Sequence, residues 1–142
     1  MRHVSRMFVA AAHLRVPVFA VVLRKCCGLG ATAMAGGGFH APVSTVPWPS
    51  GEFGAMGLEG AVRLGFRKEL AALPEGPQRQ ALFQQHLDEH HAKGTAINMG
   101  ATLEIDAVID PAQTRDWLVK GLNSARREAV SGRSATRGID PW

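Results

Sequence analysis

Pro17-Val18-Phe19-Ala20-Val21-Val22-Leu23-Arg24-Lys25-Cys26-Cys27-Gly28-Leu29-Gly30-Ala31-Thr32-Ala33-Met34-Ala35 is the stretch that decides the fold class. Val18 to Leu23 is a continuous apolar run rich in β-branched residues, opened by Pro17 and closed by Arg24-Lys25, as suits a strand buried on both faces. Strands of that kind belong in α/β layers. Gly28-Leu29-Gly30 then reads as a turn, Ala31 to Ala35 as a helix of small residues, and Gly36-Gly37-Gly38 as a flexible connection. Strand, glycine turn and helix in that order bring a helix N-terminus close to whatever lies over the strand end, which suits a site. No Lys-Ser or Lys-Thr follows the three glycines, so they are not a phosphate-cradling P-loop.

Upstream, Met7, Phe8, Ala11 and Leu14 recur at helical spacing, so Val4 to Leu14 is expected to be a helix that ends before Pro17. Arg2 and Arg6 ahead of Met7 to Ala12 look superficially like a signal peptide. Arg15 interrupts the apolar run, however, and no stretch approaches the length of a bilayer span, so no membrane role is expected. Downstream, Ala41 to Pro49 reads as extended chain with turns. Ser50 is expected to cap a helix from Glu52 to Leu73, in which Gly54, Gly57 and Gly60 serve close packing. Pro74-Glu75-Gly76-Pro77 breaks the pattern. A second long helix follows from about Gln78 to Lys93, with Leu82, Phe83 and Leu87 buried and Gly94 closing it. Leu103 to Ile109 reads as a brief strand. Asp110 caps the last helix, with Pro111 in its first turn and Trp117, Leu118 and Leu122 turned inward. From Ser124 onward, Arg126, Arg127, Arg133 and Arg137 alternate with Ser, Gly and Ala, so residues 124–142 are expected to be disordered and residues 1–123 to form one domain without internal repeats.

Composition narrows the function. A chain of 142 residues can bury a core without a disulfide scaffold, and the adjacent Cys26 and Cys27 are poorly placed for an ordinary disulfide or a zinc knuckle. Reduced thiols in a cytoplasmic compartment are the simpler expectation. A net charge of +4 spread along the chain, with 6% aromatics and no Tyr, offers too few stacking platforms to announce nucleic acid. Arg24-Lys25 at the strand end is expected to reach solvent, and Trp48 and Trp117 to serve as core or interface anchors.

His86-Leu87-Asp88-Glu89-His90-His91 is the sharpest rival signal. His86, Glu89 and His90 match the H-x-x-E-H pattern of inverted zinc peptidases, and His residues four apart share a helix face that can bind zinc, so a zinc hydrolase is one alternative. The pattern is short, and the only later glutamates, Glu104 and Glu128, lie in no second helical motif. A solvated polar face is the expected role, with no metal.

Several strings now combine: Leu14 to Val18, Val22 to Lys25, Gly28 to Ala31, Ala33 to Gly37, Trp48-Pro49-Ser50-Gly51-Glu52-Phe53-Gly54-Ala55-Met56-Gly57, Glu59 to Val62, and Glu104-Ile105-Asp106-Ala107-Val108-Ile109-Asp110-Pro111. In this order, from about Val4 to Leu122, the sequence resembles the carboxyltransferase (β) subunit of biotin-dependent acyl-CoA carboxylases of the propionyl-, acetyl- or methylcrotonoyl-CoA type. The match is to the C-terminal part of that subunit.

The resemblance implies an α/β crotonase-type fold of ββα units stacked as a spiral. It also implies transfer of carboxylate from carboxybiotin, carried on a partner protein, to the α-carbon of an acyl-CoA. Backbone amides after the Arg-Lys strand would then serve as oxyanion-type donors on the biotin side. Those positions fall at Leu29 and Gly30, with Gly28 shaping the turn and Ala31 beginning the helix. Cys27 stands where many relatives have Tyr, which bears on the wall of the biotin pocket and not on the backbone donors. The implied partners are the acyl-CoA substrate, a biotin carboxylase and biotin carboxyl carrier subunit, and further copies in a homo-oligomer. The family's acyl-CoA side comes from the N-terminal half of a partner subunit, so this chain is expected to carry half a site. A non-catalytic relative acting through oligomerisation is the other alternative.

Overall fold

A computed structural model of the chain describes residues 2–130. After α1 (Arg2–Ala12), the chain makes two successive ββα units. The first is β1 (Phe19–Val22), β2 (Lys25–Cys27) and α2 (Gly28–Met34); the second is β3 (Ser44–Pro47), β4 (Glu52–Gly54) and α3 (Leu58–Gly65). Equivalent strands pair in parallel, β1 with β3 from Phe19–Ser44 to Val22–Pro47 and β2 with β4 from Lys25–Glu52 to Cys27–Gly54. The second unit therefore stacks on the first, a structural repeat that the sequence does not display. α4 (Arg67–Ala72), α5 (Pro77–Lys93), α6 (Ala96–Ala101), a 3₁₀ turn at Pro111–Gln113 and α7 (Thr114–Val130) complete the described chain.

Two apolar clusters hold this together. Val22, Cys26, Phe53, Ala96 and Ile105 are buried between the ββα units and α6, and Phe39 meets Phe53 edge-on with ring centroids 5.7 Å apart. Val62, Leu70 and Leu87 join α3, α4 and α5, with Leu82 and Phe83 packed beside them as the helical spacing predicts.

The helix through Gln78–Lys93 agrees with the sequence reading, and α1 begins and ends two residues earlier than expected. The strand forms at Phe19–Val22, but only Val22 in it is buried and Leu23 is exposed, so it is not covered on both faces as expected, an open cavity lying along it. Three elements differ. The helix expected from Glu52 to Leu73 begins only at Leu58, because Glu52 N donates to Arg24 O and Phe53 N to Gly94 O, both at 2.7 Å, which makes 52–54 a strand. Ser50 caps no helix and instead donates to Leu23 O at 2.7 Å. The remaining helical stretch divides into α3 and α4 at Phe66.

Leu103 to Ile109 is the second difference. It runs beside β3 without forming a regular ladder: Asp106 N donates to Thr45 O, and Ile109 N to Pro47 O, both at 3.0 Å. The Asp106 carboxylate, not a main-chain carbonyl, accepts from Thr45 N at 2.7 Å, and Pro47 has no N–H to offer. Third, the helix capped by Asp110 continues through residues 124–130, where disorder was expected; residues 131–142 of that tail lie outside the described residues. Asp110 does cap, in a capping box with Gln113. Gly121 takes the inward place expected of Leu122, with the Phe19 ring too close for any side chain there, and Leu122 is exposed. Trp48 Nε1 donates to Thr114 Oγ1 at 3.0 Å and Trp117 Nε1 to Ser44 Oγ at 3.3 Å, so both indoles anchor α7 to the sheet.

Candidate functional site

The bend between β2 and α2 is the centre of the site. Cys27 is extended (φ −121°, ψ 136°) and precedes the helix without a side-chain cap, while Gly28 takes φ +68°, a conformation that a residue with a side chain adopts only at a cost. A Cβ on Gly28 would also stand 3.2 Å from Ala55 O of the facing loop. Glycine is thus required twice at this position. The helix starts at Gly28, three residues before the expected start at Ala31.

Leu29 and Gly30 occupy the first turn of α2, where amides have no intrahelical acceptor. Among the described residues neither amide has a hydrogen-bond partner. Leu29 is 61% exposed, and a Cβ on Gly30 would meet nothing within 4 Å, so the space in front of the turn is open.

A cleft of about 790 Å³ passes the bend. Gly28, Leu29 and Thr32 form one wall; Gly54, Ala55 and Met56 face them, Phe39, Phe53 and Met99 supply apolar surface, and His90, Lys93 and Glu104 add polar side chains. The structure therefore brings Gly28 and Leu29 onto the cleft. It places Gly30 next along the turn, outside the lining, and packs Ala31 on the other side, against the cluster around Val22 and Phe53.

The facing wall was missed in the sequence reading. Its signal lay in Glu52-Phe53-Gly54-Ala55-Met56, whose glycine, Gly54, is needed because a Cβ there would come within 2.8 Å of Leu58 Cδ2 and 2.9 Å of Met56 O. Beneath the site, the Cys26 thiol is pushed up from 9.0 to about 11, first by burial and then by neighbouring Cys27, so it stays protonated and packs as a small apolar group. Both cysteines are free.

The histidine helix does not form the solvated face expected of it. His86 is buried, and its ring stacks on Phe66 with centroids 3.7 Å apart and planes 12° apart. Glu69 Oε2 lies 3.3 Å from its Nε2 and Glu89 Oε2 3.7 Å from its Nδ1, though neither is aligned as a hydrogen bond. His90 meets Phe66 edge-on, and its Nδ1 is 2.9 Å from His86 O. Packing on Phe66 accounts for both rings. Among the described residues no three His, Cys, Asp or Glu side chains are grouped to hold a metal ion.

Stacked ββα units with a glycine bend open on an apolar cleft are the crotonase-type α/β architecture found in carboxyltransferase domains. The chain belongs to the carboxyl transferase domain family, whose model matches residues 1–138. It is 35% identical over 122 residues to the methylmalonyl-CoA carboxyltransferase 12S subunit of Propionibacterium freudenreichii subsp. shermanii, covering 85% of this chain and 22% of that protein. The structure of transcarboxylase 12S, described as a hexamer with methylmalonyl-CoA and methylmalonic acid bound, superimposes with a TM-score of 0.78 at 31% identity, covering 98% of this chain and 25% of that one. A single-chain, multi-domain long-chain acyl-CoA carboxylase matches with a TM-score of 0.73 at 47% identity, over 84% of this chain and 11% of that one. The chain spans about a quarter of the length of the curated relatives it matches, from 22% to 27% for the first three. Among the described residues no helix is long and apolar enough to cross a membrane.

Proposed function

We propose that this chain supplies the biotin side of an acyl-CoA carboxylase carboxyltransferase, with the main-chain N–H groups of Leu29 and Gly30 as its anion-stabilising donors. The observation that carries the reading is the pair of unpartnered amides at a bend that opens on the cleft. Carboxybiotin, presented by a partner carrier, would supply the carboxylate and be left with negative charge on its ureido group. The residues present fit such a ring: a glycine rim leaves room, apolar Phe39, Phe53 and Met99 suit its flanks, and the unpartnered Leu29 amide at the cleft, with that of Gly30 next along the turn, suits its ureido oxygen.

What the chain does follows from preorganisation. Gly28 fixes the bend, Ala31 ties it to the core, and the two N–H groups need not reorient when charge appears, which makes such donors worth a few kcal/mol each once a partner covers the open cleft and excludes water. The acyl-CoA substrate would be held by another polypeptide or another copy. Large exposed apolar side chains, among them Met34, Ile97 and Leu103, support working within an assembly with a homo-oligomeric core and biotin carboxylase and carrier subunits.

The test is reconstitution. The chain mixed with a polypeptide bearing the acyl-CoA side, free biotin and malonyl-CoA or methylmalonyl-CoA is expected to exchange carboxylate. Silence with both components folded would leave the biotin-side reading without support.

A further inference from the structure

A second cavity, about 580 Å³, opens where α3, α4 and the start of α5 meet, and it shares no lining residue with the cleft beside Leu29. Leu70 and Phe83 give it an apolar floor, and Arg63, Arg67 and Arg79 bring one guanidinium from each of the three helices. Glu75 is the one carboxylate in the lining. Its side chain is 95% exposed and lies 3.6 Å from Arg79 Nη1, a pair held in water and worth little. Arg63 lies over the Phe83 ring at 4.9 Å, and Arg67 has no ion-pair partner among the described residues. α5 starts here with no acidic residue in its first turn and no side-chain cap, so its terminal field adds to the guanidinium charge.

Three permanently charged forks lining a concave apolar floor, against one solvated carboxylate, supply the groups with which arginine grips a phosphate bidentately. We propose that this cavity binds a phosphate-bearing small molecule, its phosphate between Arg67 and Arg79 and its apolar part on Leu70 and Phe83. The concave shape selects a small ligand over an extended polyanion. The proposal does not rest on the carboxyltransferase reading.

Titration calorimetry of the full 142-residue chain with inorganic phosphate and with phenyl phosphate, at ionic strength fixed with chloride, tests it. The expected result is saturable binding of both, with phenyl phosphate about fivefold tighter because its ring reaches the floor. Arg67→Gln and Arg79→Gln should each weaken binding about tenfold. Glu75→Gln should tighten it about twofold by removing the competing carboxylate, a gain that misfolding cannot produce. Absence of saturable binding, equal affinity for the two phosphates, or unchanged affinity in all three variants overturns the proposal.

Discussion

Replacing Leu29 by proline removes one main-chain hydrogen and little else. The first turn of a helix tolerates proline because its amide has no intrahelical acceptor, and the preceding residue, Gly28, is the least restricted of partners for it. Leu29 is 61% exposed, so losing its side-chain packing costs under about 1 kcal/mol of stability. A single oxyanion donor is worth about 3–4 kcal/mol, or a 10²- to 10³-fold loss of rate, when the charge it meets develops in a dry site. Leu29→Pro should therefore lower carboxyl exchange in the reconstituted assembly by about two orders of magnitude with an unchanged circular dichroism spectrum. Leu29→Ala keeps the amide and should stay within about threefold of the parent chain, since it forfeits only the exposed side chain. If the two variants lose activity equally while both remain folded, the Leu29 amide is not a donor to the reacting group.

Other residues make the scaffold testable. Gly94→Ala would place a Cβ against the Phe53 carbonyl oxygen, where β4 closes on the end of α5, and should cost about 2–4 kcal/mol in urea unfolding. Asp106→Ala should cost about 1–3 kcal/mol by stranding the buried Thr45 N–H, and Asp106→Asn, which keeps an acceptor oxygen, should restore most of it. The pH dependence of stability reports on Cys26: unfolded, the thiol ionises from about 9.0, whereas the folded chain holds its proton to about 11, so stability should fall as pH rises through that window and not below it. The loss is at most about 3 kcal/mol, and Cys26→Ala should abolish that part of the slope in denaturant titrations between pH 8 and about 11.

The long-period features of the fold were legible in the residues. Phe19–Val22 announces itself by a β-branched run, α5 by its apolar stripe, and the last helix by Asp110-Pro111. β2 and β4 were not, because three residues carry no periodicity and their hydrogen bonds go to chain far away in sequence, as from Phe53 to Gly94. The same limit governed the site. Strand, glycine and helix pointed to the Leu29 bend, but the opposite wall at Ala55 and Met56 is created by the parallel pairing of β2 with β4, which no local pattern encodes. His86 misled for a related reason: an apparently polar helix face is buried because Phe66, arriving from the end of α3, stacks on it.

Backbone resonances answer the central question most directly. In the isotope-labelled chain titrated with free biotin, the amide signals of Leu29 and Gly30 should move saturably and further than those of other residues around the cleft, with Leu29→Pro weakening the binding. Shifts that spare both amides while biotin binds elsewhere, or no saturable shift at all, would contradict the claim that this bend stabilises charge on the ring.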